Sequence, residues 1–315
     1  MKPFTFSTTK SIISEIGAVK RITEICATLD ISKPLIVTDQ GIVNVGFIEP
    51  LNTAFKKAGK EYVCFDQVVA DPPEHIVLCA VAFAREHQVD GVIGFGGGSS
   101  LDTAKLVALL ANSDEQLVDI YGVEAIRGKR LPLILIPTTA GTGSEVTPIS
   151  IVTTGNTTKA GVVSSVLLPD VALLDASLTL GLPAHVTAAT GIDAMVHAIE
   201  AYTSAIKKNS YSDLLAKQAL TLLANNIVEA RQAMLLGSCL AGQAFANLAL
   251  IGFISSLIKR LKLPVSLLKM GIGESDIITL AHDAMLQTGL LVNNPKPVTL
   301  ENVKKIYSQA HQGTN

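Results

Sequence analysis

Between Val89 and Lys105 the chain reads VDGVIGFGGGSSLDTAK, and this stretch restricts the fold more than any other. Val92, Ile93 and Phe95 make a short β-branched and aromatic run suited to a buried strand, and Leu101 to Leu110 carries apolar residues at helical spacing. A strand therefore enters a helix through Gly96, Gly97 and Gly98. Without Cβ atoms these residues can turn sharply and bring backbone N–H groups against a ligand. Ser99 or Ser100 is placed to cap the helix, whose free N–H groups and positive dipole end suit an anion such as a pyrophosphate. Gly94, Gly96 and Ser99 only approximate a GxGxxG fingerprint, and Lys105 lies too deep in the helix for a Walker-type loop. A tight turn without a ligand is the competing reading of these residues alone.

Other runs put this unit in an alternating pattern. A helix is expected over Ala18 to Leu29, a strand over Pro34 to Thr38, a helix over Ile48 to Ala58, a strand over Tyr62 to Phe65 and a helix over Glu74 to Gln88. Phe4, Phe6 and the isoleucines at 12, 13 and 16 suggest short strands before them. LPLILI at 131–136 is apolar enough to be buried on both sheet faces, and a further strand covers Ala172 to Leu174. Alternation of this kind predicts a largely parallel sheet with helices on both sides. From Leu182 onward the pattern is helical. With 315 residues there is room for two domains, expected at 1–181 and 182–315. A formal net charge of -2 with scattered Lys and Arg offers no footprint for nucleic acid. The four cysteines form no CxxC pair and read as buried free thiols of a cytoplasmic protein. MKPFTFSTTK has no apolar signal core. Ala241 to Ile258 is long and apolar, but interrupted by Gln243, Asn247, Ser255 and Ser256, so it reads as a buried helix rather than a membrane span.

Three places carry candidate chemistry. Asp39 closes the strand at 34–38, where nicotinamide enzymes hold an adenosine ribose hydroxyl; an ordinary helix N-cap explains the same residue equally well. The segment TTAGTGSE at 138–145 sets hydroxyls and glycines at the carboxyl end of a buried strand, the usual ligand side of an open α/β sheet. Asp193 and His197 stand four apart on a helix face and can point at a common divalent ion; a capping-box-like start at Thr190 and Asp193 with an ordinary histidine is the alternative.

Read together, GGGSSLDTAK at 96–105, PTTAGTGSEVT at 137–147 and TAATGIDAMVHAIEAY at 187–202 closely resemble the iron-containing (group III) alcohol dehydrogenases. The resemblance extends to NNPKPVTLENVKKIY at 293–307. It implies a dehydroquinate synthase-like fold, an α/β N-terminal Rossmann-like domain plus an all-α C-terminal domain with a cleft between them. It also implies NAD as cofactor, with the pyrophosphate on Gly97, Gly98 and Ser99, Asp102 close behind, and Asp39 on the adenosine side. The nicotinamide and its ribose fall to Thr138, Thr139, Thr142, Ser144 and Thr147, with Lys159 nearby. Asp193 and His197 match the first two ligands of an Fe(II) or zinc ion that acts as a Lewis acid on the alcohol oxygen. A homodimer acting on a small alcohol or aldehyde, without membrane or nucleic-acid partners, is the expected assembly.

One departure from the family pattern is large. Family members continue, after the helix matching Leu235 to Leu250, into a histidine-rich helix and an NxPHG-like turn that supply further metal ligands. Here FANLAL at 245–250 passes directly into IGFISSLIKRLKLPVSLLKMG, and a smaller piece is missing at the Ala230–Arg231 junction. An NAD-dependent, metal-assisted alcohol dehydrogenase or aldehyde reductase is expected by descent. A metal-independent, maleylacetate reductase-like enzyme and a non-catalytic nucleotide-binding remnant are the alternatives.

Overall fold

The computed structural model describes residues 4–155, 158–204, 208–226, 231–244, 266–286 and 297–312. Six parallel strands form the main sheet: β1 (Ser11–Ser14), β2 (Pro34–Val37), β3 (Val63–Phe65), β4 (Gly91–Gly96), β6 (Leu133–Pro137) and β9 (Val171–Leu174), in the order β1-β9-β6-β4-β2-β3. Two apolar layers explain why β4 and β6 read as continuous hydrophobic runs. Val92, Leu133 and Leu135 face a core shared with α4 (Glu74–Glu86) and α5 (Gly98–Leu110). Ile93, Phe95, Ile134 and Ile136 face the opposite core, shared with α1 (Ile22–Thr28) and α3 (Glu49–Lys57). A short α2 (Gln40–Asn44) follows β2. Burial on both faces is the condition under which an all-parallel sheet is stable.

Several expected boundaries shift for local reasons. The helix expected at 18–29 is split into a 3-10 turn at Ala18–Arg21 and α1, because the Asp175 carboxylate accepts the Gly17 and Val19 N–H groups at 2.8 and 3.1 Å and fixes the entry. Phe4 and Phe6 join no strand; both rings pack against Tyr211. Ser99 and Ser100 do not cap α5. Gly97 is its N-cap, without a side-chain bond, and both serines lie in the first turn. A second sheet has no counterpart in the sequence reading: β7 (Ile149–Thr154) and β8 (Thr158–Val163) form an antiparallel hairpin, and β5 (Gly122–Val123) pairs with β8.

The remaining elements are helical: α6 (Ala184–Thr203), α7 (Ser210–Asn226), α8 (Arg231–Ala244), α9 (Asp276–Leu286) and α10 (Leu300–Gln312). Helix α6 begins behind Pro183, so Thr190 and Asp193 are mid-helix and form no capping box. Met195, Ala198, Leu223, Met234 and Leu235 give α6, α7 and α8 a core of their own. Cys26 and Cys239 are buried as expected, whereas Cys64 is only half-buried and Cys79 is exposed. No helix among the described residues is long and apolar enough to cross a membrane. The apolar stretch expected at 241–258 enters the described residues only through Ala244, and the NNPK of the 293–307 segment lies outside them.

Candidate functional site

Strands β2 and β4 are neighbours from which the chain winds in opposite directions, so their carboxyl ends flank a crevice at the sheet's switch point. Asp39 leaves β2 there and Gly97 leaves β4. Gly96 makes the turn at φ 146°, and a Cβ on it would stand 2.8 Å from Ser100 Oγ. The resulting cleft, about 390 Å³, is bounded by Asp39, Gln40, Ala70, Gly97, Gly98 and Ser99 among others. Asp39 takes the helix N-cap of its two sequence readings and also stands in the wall of the cleft. Its Oδ1 accepts the Ile42 N–H at 3.0 Å as a helix N-cap, and its Oδ2, which accepts the Ser100 hydroxyl at 3.4 Å, belongs to the cleft wall.

Beside the turn, two buried hydroxyls have no hydrogen-bond partner among the described residues: Thr38 Oγ1 after β2 and Thr138 Oγ1 after β6. Leaving such a group unsatisfied costs roughly 1–3 kcal/mol. A glycine cradle at a helix N-terminus flanked by orphaned hydroxyls fits a phosphate-bearing, hydroxyl-rich ligand. Thr139 and Thr142 come to the same place, since a Cβ on Gly97 would lie 3.7 Å from Thr139 Oγ1 and one on Gly98 would lie 2.9 Å from Thr142 Cγ2.

The other carried-over residues are one layer further in. Ser144 and Thr147 are buried and turn their hydroxyls onto Lys105, whose Nζ lies 2.8 and 3.4 Å away. Asp102 accepts from the Ser144 hydroxyl at 2.5 Å, the Ile151 N–H at 2.9 Å and the Lys105 ammonium at 3.2 Å. Lys159, on β8, pairs with Asp71; the Asp71 N–H donates to Ser99 Oγ at 3.3 Å, which links the hairpin to the glycine turn. Sequence reasoning gave no role to Lys105, Asp71 or Glu145. A lone lysine inside the apolar run TAKLVALL was the available sign for Lys105.

Burial dominates the electrostatics of this inner layer. It pulls the Lys105 ammonium below its usual range, opposed by Asp102 and Glu145. It pushes the Glu145 carboxyl up to about 7, opposed by its own backbone hydrogen bond and by Lys105.

The loop from 138 to 147 also touches the helical region. A Cβ on Gly141 would meet Thr190 Cβ of α6 at 2.8 Å, and Gly143, at φ 61°, approaches Gly242 of α8 so closely that a Cβ would be 2.6 Å from its Cα. One and two turns beyond Thr190 stand Asp193 and His197, with His197 Nδ1 3.9 Å from Asp193 Oδ2. Glu200 follows one turn later, its carboxyl raised by burial, with His197 lowering it and Asp193 raising it further. No three His, Cys, Asp or Glu side chains converge on a common ion position among the described residues. Oxygen and imidazole donors suit iron(II) or zinc, but this pair falls short of the three protein ligands of a typical catalytic centre.

A family model for iron-containing alcohol dehydrogenases matches residues 9–176, and the model for the C-terminal part of the same family matches 187–253. A sulfoacetaldehyde reductase of Bilophila wadsworthia is 39% identical over 254 residues, covering 78% of this chain and 65% of that protein. Long-chain-alcohol dehydrogenase 1 of Geobacillus thermodenitrificans is 41% identical over 248 residues, or 75% and 62% of the two chains. The crystal structure of a 1,3-propanediol oxidoreductase superposes with a TM-score of 0.92 at 28% identity, over 98% of this chain and 100% of that one. The matches to these two curated relatives thus span less than two thirds of their length.

Proposed function

Because the chain belongs to the iron-containing alcohol dehydrogenase family, we propose that it binds NAD(H) in the crevice at the β2/β4 switch point and descends from enzymes that interconvert small alcohols and aldehydes. The observation that carries this reading is the single cleft joining Asp39 to the Gly97–Ser99 turn, with the Thr138 hydroxyl buried and unpartnered beside it. We divide the chain into a nucleotide-binding domain at 1–181 and a helical domain at 182–315.

The adenosine ribose lies against Asp39, whose Oδ2 is a hydroxyl acceptor. The pyrophosphate takes the free N–H groups of Gly98 and Ser99 at the start of α5, where the helix dipole favours anions. Thr138, Thr139 and Thr142 line the path from there toward α6, so the nicotinamide half points at the helix bearing Asp193 and His197. Ser144, Thr147, Asp102 and Lys159 support this path from behind. Nicotinamide supplies hydride chemistry when bound. The protein's part is to orient the ring and exclude water.

NAD and iron(II) are the cofactors the family implies, with zinc as a substitute at oxygen and imidazole donors. Asp193 and His197 would hold the metal's first two positions. They do not complete its ligand set among the described residues. That shortfall favours the second reading, a nucleotide-binding protein without alcohol oxidation. Titration with NADH by fluorescence tests the first reading, and failure to bind at millimolar NADH defeats it. Alcohol-dependent NADH formation separates the two readings.

A further inference from the structure

We propose that Lys105 is a positioning residue for the nicotinamide half of the nucleotide: its buried ammonium holds the 138–149 segment in register with the pyrophosphate turn. The inference rests on the nucleotide reading above and extends it to a residue outside the cleft wall. Three contacts carry it. Lys105 is fully buried, and its Nζ donates to Ser144 Oγ at 2.8 Å, Thr147 Oγ1 at 3.4 Å and the Ile149 carbonyl at 2.6 Å, all within the segment that follows β6. It also lies on the α5 face that starts at Gly98, one turn beyond Asp102, and Asp102 binds Ser144 and Ile151 from the same side. Ser144 in turn donates its N–H to Thr142 Oγ1 at 3.2 Å, and Thr142 packs on Gly98.

One helix face therefore grips both parts of the crevice. Its first turn presents N–H groups to the pyrophosphate, and its second and third turns fix the loop of Thr138, Thr139 and Thr142. The ammonium serves the two parts unequally. Nothing in the Gly97–Ser99 turn bonds to it, and the α5 N-terminus and Asp39 are formed without it. Removing it releases the nicotinamide-side loop and leaves the adenosine and phosphate side intact.

ADP and NADH separate those halves, because ADP carries the adenosine and two phosphates but no nicotinamide. Lys105→Met should weaken NADH about tenfold, to near the affinity of ADP, while ADP binding stays unchanged. Asp102 keeps the Ser144 hydroxyl and Ile151 N–H in this variant. Lys105→Gln, which retains an N–H donor, provides a second fold-competent variant, and recovery of part of the lost NADH affinity is expected. Thermal unfolding confirms that each variant is folded. Equal weakening of ADP and NADH would show a general structural role and overturn the proposal, as would an unchanged NADH affinity. Wild-type protein that binds ADP and NADH equally overturns the inference alone, whereas wild-type protein that binds neither overturns the nucleotide reading and the inference with it.

Discussion

At the scale of the residue, one oxygen of Asp39 caps α2 while the other accepts the Ser100 hydroxyl in the wall of the proposed nucleotide cleft. A carboxylate there accepts from a ribose 2′-hydroxyl and repels a 2′-phosphate. Asp39→Asn keeps an acceptor for the Ile42 N–H and removes the charge, so the preference for NADH over NADPH should fall about tenfold in parallel fluorescence titrations. Tighter NADPH binding by the unaltered chain would contradict this. Asp39→Gly relaxes the same preference and also loses the side-chain cap, at only about a few tenths of a kcal/mol of stability because glycine is itself tolerated at the N-cap. Glu145 makes a different prediction. Its folded-state pKa of about 7 lies above the ordinary 4.5, so the folded chain holds this proton more tightly than the unfolded one. Stability contributed by this group is present below pH 4.5 and declines as pH rises to about 7. Glu145→Gln, a permanent mimic of the protonated acid, should match the parent near pH 4.5 and exceed it at pH 8 by up to about 3 kcal/mol in urea unfolding.

At the scale of the element, the α/β and helical regions meet backbone on backbone at Gly143 and Gly242. Gly143 and Gly242 leave no room for a Cβ on either side, with 2.8 Å from a Gly242 Cβ to the Gly143 Cα. Gly242→Ala must push α8 away from the 138–147 loop and should lower stability by about 1–3 kcal/mol, read as a lower unfolding midpoint. Strands β4 and β6 were legible in the sequence because burial on both faces leaves continuous apolar runs, and α5 because its glycine entry and apolar spacing agree. The β7–β8 hairpin was not legible. Its strands alternate only loosely, and what holds them extended is cross-strand pairing from Ile149↔Val163 to Thr154↔Thr158, which no local pattern announces. The capping-box alternative at Thr190 and Asp193 fails because α6 already starts behind Pro183, in keeping with the helical pattern from Leu182 onward. In the candidate site, Gly97, Gly98 and Asp39 could be read because backbone chemistry demands them. Lys105 could not, because its partners in the loop after β6 lie 39–44 residues away in sequence.

At the scale of the whole molecule, β1 is an edge strand of the six-stranded sheet among the described residues, and Ile12 within it and Ile16 just after it are exposed. We expect β1 to pair with its equivalent in a second copy and give a homodimer, and a monomer at micromolar concentration by light scattering would refute this. Metal content follows from the donor set. Catalytic ions are held by three or more protein ligands with a position open for substrate, and the described residues offer Asp193 and His197. The proposed nucleotide cleft draws on a separate set of residues at the ends of β2, β4 and β6 and in α5, so the two properties should come apart in a chain of this sequence. A protein of 33.1 kDa is therefore predicted to bind NADH, to retain well under one iron or zinc per chain after dialysis, and to show negligible alcohol oxidation. Elemental analysis and an alcohol-dependent NADH assay on the same preparation check both halves. Stoichiometric metal with sustained turnover at that mass would mean that a residue outside the described set, or a second copy of the chain, completes the ligand shell around His197.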